Sequence, residues 1–133
     1  MLRHLLTILI VFNFFQIYSQ DINWLTLDKA IELQKKNPKN IIMDVYTNWC
    51  GPCKLLDRNT FKNKDVSAYI NKHYYAVKFN AEGDSKVNYD GKLFTNPNFQ
   101  PEKKQRRNGT HELTRYLNVT AYPTIIFMDN SSK

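Results

Sequence analysis

The chain has 133 residues, with 19 Lys and Arg against 12 Asp and Glu, a formal net charge of +7 and two cysteines. This length suits one domain with a hydrophobic core, and a single cysteine pair leaves a structural zinc site short of its four ligands. The basic charge is scattered, apart from the run Lys103-Lys104-Gln105-Arg106-Arg107, and reads as solvated surface rather than a nucleic-acid or membrane patch.

At the N-terminus, Arg3 and His4 precede the apolar stretch Leu5 to Phe15, and Ser19 offers a small residue before Gln20. That order is expected of a cleaved signal peptide over residues 1–19, with the folded domain in 20–133 and a periplasmic or secreted location. The apolar run is interrupted at Asn13 and Gln16 and falls short of the roughly 20 residues needed to span a bilayer, so stable membrane insertion after cleavage is not expected.

Beyond this, Leu27, Ala30 and Ile31 mark an amphipathic helix over 27–37, capped by Thr26 and stopped by Pro38, with Trp24 a core plug just before it. Ile41 to Tyr46 is a short apolar run, expected as a buried central strand. A helix follows from Cys50 to about Asn59, with Phe61 packed beneath it. Val66, Tyr69, Ile70 and His73 then fall at helical spacing behind an Asp65 cap, with His73 half-buried at the helix end. Tyr75 to Asn80 alternates as a strand. Residues 84–109 show no period and stand open between disorder and a partner-recognition surface, with Tyr89, Leu93, Phe94 and Phe99 able to pin the segment down. Thr110 is placed to cap a helix bearing Leu113, Tyr116 and Leu117. The strand Thr124 to Met128 and a turn at 129–132 follow.

Both cysteines lie in Trp49-Cys50-Gly51-Pro52-Cys53-Lys54, directly after the apolar strand. A strand that runs through Cys-x-x-Cys into a helix is the arrangement redox chemistry needs. Cys50, at the exposed helix N-terminus, has unpaired N–H groups and the helix dipole to favour its thiolate, which makes it the attacking nucleophile. Cys53, one turn inside, is the resolving thiol. Pro52 fits the first turn and Gly51 adds no side chain beside the sulfur. A purely structural disulfide closing so short a loop would stabilise little.

The stretch Asp44 to Lys54, with its Cys-Gly-Pro-Cys, resembles the thioredoxin superfamily. The continuation Asp57-Arg58-Asn59-Thr60-Phe61 with Val66 is similar to a secreted branch that includes the C-terminal domain of DsbD, and Val119 to Thr124 is similar to the cis-proline segment. The resemblance implies an α/β thioredoxin-like fold, a central mixed sheet flanked by helices. The family core continues with a further strand and helix, so residues 20–133 are expected to be C-terminally incomplete, with an insertion at about 84–109. It implies a thiol–disulfide oxidoreductase that reduces or isomerises disulfides of exported proteins, without cofactor or metal, and draws electrons from a membrane donor. The alternatives are a non-catalytic binding or chaperone module and an inactive fragment. It assigns Asp44 as the buried acid that takes the proton of Cys53, with Lys78 its neighbour. Pro123 is expected to be cis, the backbone of Tyr122 to pair with substrate, and Trp49 to shield the sulfurs. The Gly-Pro dipeptide, with no histidine between the cysteines, points to a reductase or isomerase rather than an oxidant.

Overall fold

The computed structural model describes residues 21–132; the expected signal peptide, residues 1–19, lies outside the described residues. The elements run β1 (Trp24–Leu25), α1 (Leu27–Lys36), β2 (Asn40–Tyr46), α2 (Gly51–Leu56), a π-helical turn (Asp57–Phe61), α3 (Lys64–His73), β3 (Tyr74–Asn80), β4 (Val87–Tyr89), β5 (Lys92–Phe94), a 3₁₀ turn (Pro101–Lys103), α4 (Glu112–Tyr116) and β6 (Thr124–Met128). The main sheet has the order β1-β3-β2-β6, with β3 parallel to both β1 and β2, and β6 antiparallel to β2. This is the α/β sheet with flanking helices that the sequence led us to expect.

β2 is buried on both faces, which is why its sequence is a continuous apolar run instead of an alternation. Ile41, Met43 and Val45 enter one core with Leu27 and Ala30 of α1, Val77 and Phe79 of β3, and Leu113 of α4. Ile42 and Ala76 face the opposite way, into a second core with Phe61 and Ile70. Strand periodicity therefore puts Asp44 and Lys78, which are register partners, on the side of Phe61 and Ile70.

Thr26 caps α1, accepting from the Lys29 N–H. Other caps differ from expectation. Asn63, not Asp65, caps α3, its Oδ1 accepting from the N–H groups of Asp65 and Val66. The helix buries Ser67 and Ile70, while Tyr69 and His73 are exposed, so His73 is not half-buried as expected. The helix after the cysteines continues past Asn59 as a π turn that carries Phe61 into the core. Trp24 is a half-buried strand residue packed edge-on against Phe61, with ring centroids 5.1 Å apart. At α4 the cap is His111, not Thr110.

Residues 84–109 fold as the β4–β5 hairpin followed by a pinned loop, not a disordered tract. Val87 and Phe94 enter the first core and Tyr89 packs against it, whereas Leu93 stays exposed. The base of the segment is drawn together by Asn96, whose Nδ2 donates to the carbonyls of Gly83 and Gly109. Gly109 is required there, since a Cβ would come within 2.5 Å of the Asn98 carbonyl oxygen.

His111 is fully buried. Its Nδ1 accepts from the Leu113 N–H at 3.1 Å, and its Nε2 lies 2.8 Å from the Ser85 carbonyl, so the neutral ring with the proton on Nε2 satisfies both. Burial lowers its pKa below 6.5, outweighing the Ser85 bond. The folded state thus binds this proton less readily than the unfolded chain. Stability from His111 is complete above about pH 6.5 and is lost as pH falls through 6.5 towards the lowered folded value, by up to about 1.4 kcal/mol per pH unit. Thermal melts between pH 7.5 and 5 should show this loss, and His111→Asn, which retains a capping oxygen, should flatten it.

Candidate active site

Cys50 is the N-cap of α2, in extended backbone conformation, and Pro52 occupies the first turn. Its Sγ is bonded to that of Cys53, with Cα atoms 5.3 Å apart, and accepts from the Cys53 N–H at 3.1 Å. The first cysteine thus sits where unpaired helix N–H groups converge, and one of them is already directed at its sulfur. Cys50 is not exposed, contrary to expectation: in the disulfide its sulfur turns inward to Cys53, and the residue is 2% accessible. Gly51 and Pro52 are the exposed part of the motif. A Cβ on Gly51 would meet nothing within 4 Å, so the space over the motif is open to a partner.

Asp44 is 1% accessible. Its Oδ2 forms an ion pair with Lys78 Nζ at 2.8 Å, and among the described residues neither carboxylate oxygen has a hydrogen-bond partner. Desolvation raises the Asp44 pKa above 3.8, opposed by Lys78 and reinforced by Asp57. Lys78 is caught between carboxylates. Burial alone would depress its pKa, but the carboxylates of Asp44 and Asp57 paired with it outweigh this and hold it above 10.5. The rings of Trp24, Tyr46 and Phe61 stand 4.9–5.5 Å from its ammonium. Lys78 is therefore not an outward-facing strand lysine. An open hollow lined by Trp24, Asp57, Phe61 and Lys78 connects this pair to the surface.

Asp57 is the partner that sequence reasoning missed. It forms a salt bridge with Lys78 from the first residue of the π turn. Only the placement of an acid seven residues after Cys50 hinted at it, and no helical period marks a π turn.

Trp49 is half-buried and held on several sides. Its Nε1 donates to Glu82 Oε2 at 2.7 Å, the Arg107 guanidinium lies 4.6 Å from its ring, and Tyr122 meets it edge-on at 6.0 Å. The Tyr122–Pro123 peptide is cis, as the resemblance implied. The β2–β6 register ends at Val45↔Thr124, so Pro123 comes next in line beside Tyr46, at the end of β2 that leads to the cysteines. Burial, then the Glu82 charge, raises the Tyr122 pKa. The structure thus gathers Trp49, Cys50, Cys53, Tyr122 and Pro123 at one end of the sheet, with Asp44 and Lys78 on the face towards Phe61. Among the described residues no three His, Cys, Asp or Glu side chains converge as a metal site.

The profile of the Thioredoxin-like domain family matches residues 27–133, and the chain belongs to that family. It is 28% identical over 112 residues to the thiol:disulfide interchange protein DsbD of Photorhabdus laumondii subsp. laumondii; the match covers 84% of this chain and 15% of that protein, so the chain spans a small part of that relative's length. Its fold is similar to the oxidoreductase DsbH, with a TM-score of 0.61, 20% identity, and coverage of 89% of this chain and 72% of that one. It is also similar to a Bacteroides thetaiotaomicron protein assigned as a disulphide-isomerase, with a TM-score of 0.55, 27% identity, and coverage of 84% and 73%. At a general level, then, this is a thioredoxin-fold relative of disulfide oxidoreductases carrying a closely spaced cysteine pair.

Because the Asp44 pKa is raised on folding, its ionisation costs stability as pH rises from 3.8 past the folded value. Asp44→Asn removes that cost, and Lys78 retains Asp57. The variant should be more stable than the parent at pH 8, by up to about 1.4 kcal/mol for each pKa unit of the shift, with the advantage shrinking towards pH 3. Denaturant unfolding at both pH values measures it.

Proposed function

We propose that this domain is a protein-disulfide reductase or isomerase acting on exported proteins, with Cys50 as nucleophile and Cys53 as resolving thiol. The observation that carries the reading is the pairing of these sulfurs at the N-terminus of α2, with the Cys53 N–H directed at Cys50 Sγ. Those features favour a Cys50 thiolate in the reduced protein. The thiolate attacks one sulfur of a partner disulfide; the new bond joins Cys50 to the partner, and the partner's other sulfur leaves as a thiolate and takes a proton. Cys53 then gives up its proton and attacks Cys50 Sγ. The partner's second sulfur leaves, and Cys50–Cys53 is the product disulfide. Two electrons and two protons have passed to the partner, so a dithiol donor must restore the pair; we assign that role to a membrane-bound protein. In isomerisation a thiol of the partner itself attacks the mixed disulfide and releases Cys50, with no net electron transfer.

Asp44 takes the proton of Cys53. Burial raises the Asp44 pKa above 3.8, which makes the carboxylate a better proton acceptor than an exposed aspartate, and the exchange needs a group that can both accept and return a proton. Lys78 and Asp57 hold the group and limit how far its pKa rises. Gly51 and Pro52 leave the approach to the disulfide open, Trp49 flanks it, and the Tyr122 backbone before cis-Pro123 offers an edge to an extended partner strand. No cofactor is required, because the two sulfurs carry the electrons. The export assignment rests on the order of charge, apolar stretch and small residue in residues 1–19.

Cys53→Ala should accumulate mixed disulfides with partner proteins that dithiothreitol releases, whereas Cys50→Ser should form none and lose reductase turnover by at least about 1,000-fold. Non-reducing gels and an insulin-reduction assay read both outcomes. Turnover retained in Cys50→Ser would overturn the assignment.

A further inference from the structure

The basic run 103–107 is fastened beside the disulfide. The side chain of Asn48, two residues before Cys50, donates through Nδ2 to the Lys104 carbonyl at 2.7 Å. Glu82 Oε2 accepts from both Trp49 Nε1, at 2.7 Å, and the Asn108 N–H, at 2.9 Å, so one carboxylate ties the active-site tryptophan to the far end of the run. Between these ties, Arg107 stacks on Trp49. The run is thus part of the wall of the site, and its backbone position is set by the residues immediately preceding Cys50.

Lys104, Arg106 and Arg107 are exposed, Lys103 is half-buried, and none of the four pairs with a carboxylate among the described residues. Glu102 and Glu82 each place one negative charge beside the run, with Glu82 held by the Trp49 and Asn108 N–H groups. Other cations without a salt bridge among the described residues, such as Lys35, Lys54 and Lys72, are scattered, whereas these four are concentrated in five consecutive residues. Here Lys103, Lys104, Arg106 and Arg107 outnumber the nearby carboxylates of Glu82 and Glu102, leaving a net positive rim tied to the residues that precede Cys50.

We propose that this rim docks acidic polypeptide segments, selecting partners whose disulfide is flanked by Asp and Glu. The inference rests on the redox reading above for why a polypeptide comes to this site, and adds which one. Complementary charge acts mainly through capture rate and choice of partner, both of which depend on salt. A nucleic acid fits less well: single strands need free aromatic faces for stacking, and Arg107 stacks on the ring of Trp49.

The test uses the full chain in its oxidised form and two fluorescent peptides of equal length, with serine in place of cysteine, one bearing Asp and Glu and the other Lys. The acidic peptide should bind at least about tenfold more tightly at roughly 20 mM salt and lose that advantage near 0.5 M. Lys104→Glu with Arg106→Glu should abolish or invert the preference. Lys35→Glu with Lys72→Glu, on α1 and α3, makes the same change in net charge away from the run and should preserve it. Equal binding of the two peptides, a preference that survives in Lys104→Glu/Arg106→Glu, a preference lost equally in the control pair, or tighter binding of a random single-stranded oligonucleotide would each overturn the proposal. If the run variants do not fold, amide shifts of residues 103–107 on titrating the acidic peptide into the parent decide it. Turnover of a neutral disulfide peptide by the parent protein tests the redox reading separately, so acid-selective binding without turnover removes that reading alone, and turnover without selectivity removes only the docking rim.

Discussion

The parallel pairing of β2 with β3 is the constraint on which the site depends. It opposes Asp44 to Lys78 in a place where neither charge has full access to water. A lone carboxylate at 1% accessibility would be costly to ionise, and a lone ammonium there would be depressed. Together, with Asp57 reaching back from the π turn, they form a cluster in which Lys78 stays charged while Asp44 titrates above its ordinary range. A slip of one residue in the register would turn Asp44 into the opposite core, among Met43, Val45 and Leu113. The same strand is flanked by β6, whose register delivers cis-Pro123 to the end where β2 leads into Cys50. One strand therefore positions the acid, the disulfide and the proline.

A second set of contacts ties residues 84–109 to the site, and it has a different character. The Asp44 cluster is buried charge, whereas the connection through Glu82 and Trp49 is polar, aromatic and near the surface. It gives the tryptophan beside the disulfide a fixed orientation and brings a basic loop to the entrance. The hairpin base, pinned by Asn96 and by the close approach at Gly109, makes that loop an extension of the core.

Much of this was legible in the amino-acid sequence. The unbroken apolar run at Ile41 to Val45 announces a strand buried on both faces, and the Cys-Gly-Pro-Cys after it marks the site. α1 is spelled out by Thr26, its apolar stripe and Pro38. What could not be read is instructive. β1 has two residues, too few for a period. Asp57 follows α2 directly, and its approach to Lys78 is a tertiary contact between a helix end and β3 that no helical count reveals. Asn63 caps α3 in place of Asp65, a residue of equal capping preference, so propensity could not choose between them, and buried His111 caps α4 in place of Thr110. Residues 84–109 lacked a pattern because their order comes from long-range side-chain bonds, such as Asn96 to Gly83 and Asn48 to Lys104. The burial of Cys50 follows from the disulfide itself, which residue type alone does not reveal.

As proposed, Cys50 and Cys53 form a reversible two-electron couple whose dithiol form is the working reductant. Gly51-Pro52 places no charge between the sulfurs, and Asp44, when ionised, disfavours a thiolate at Cys53. The disulfide is therefore expected to be stable and weakly oxidising. A redox titration against defined thiol–disulfide buffers, followed by the fluorescence of Trp49, measures this directly. The account predicts a two-electron transition near thioredoxin's potential of about −270 mV; a transition near about −120 mV, where DsbA lies, would contradict it.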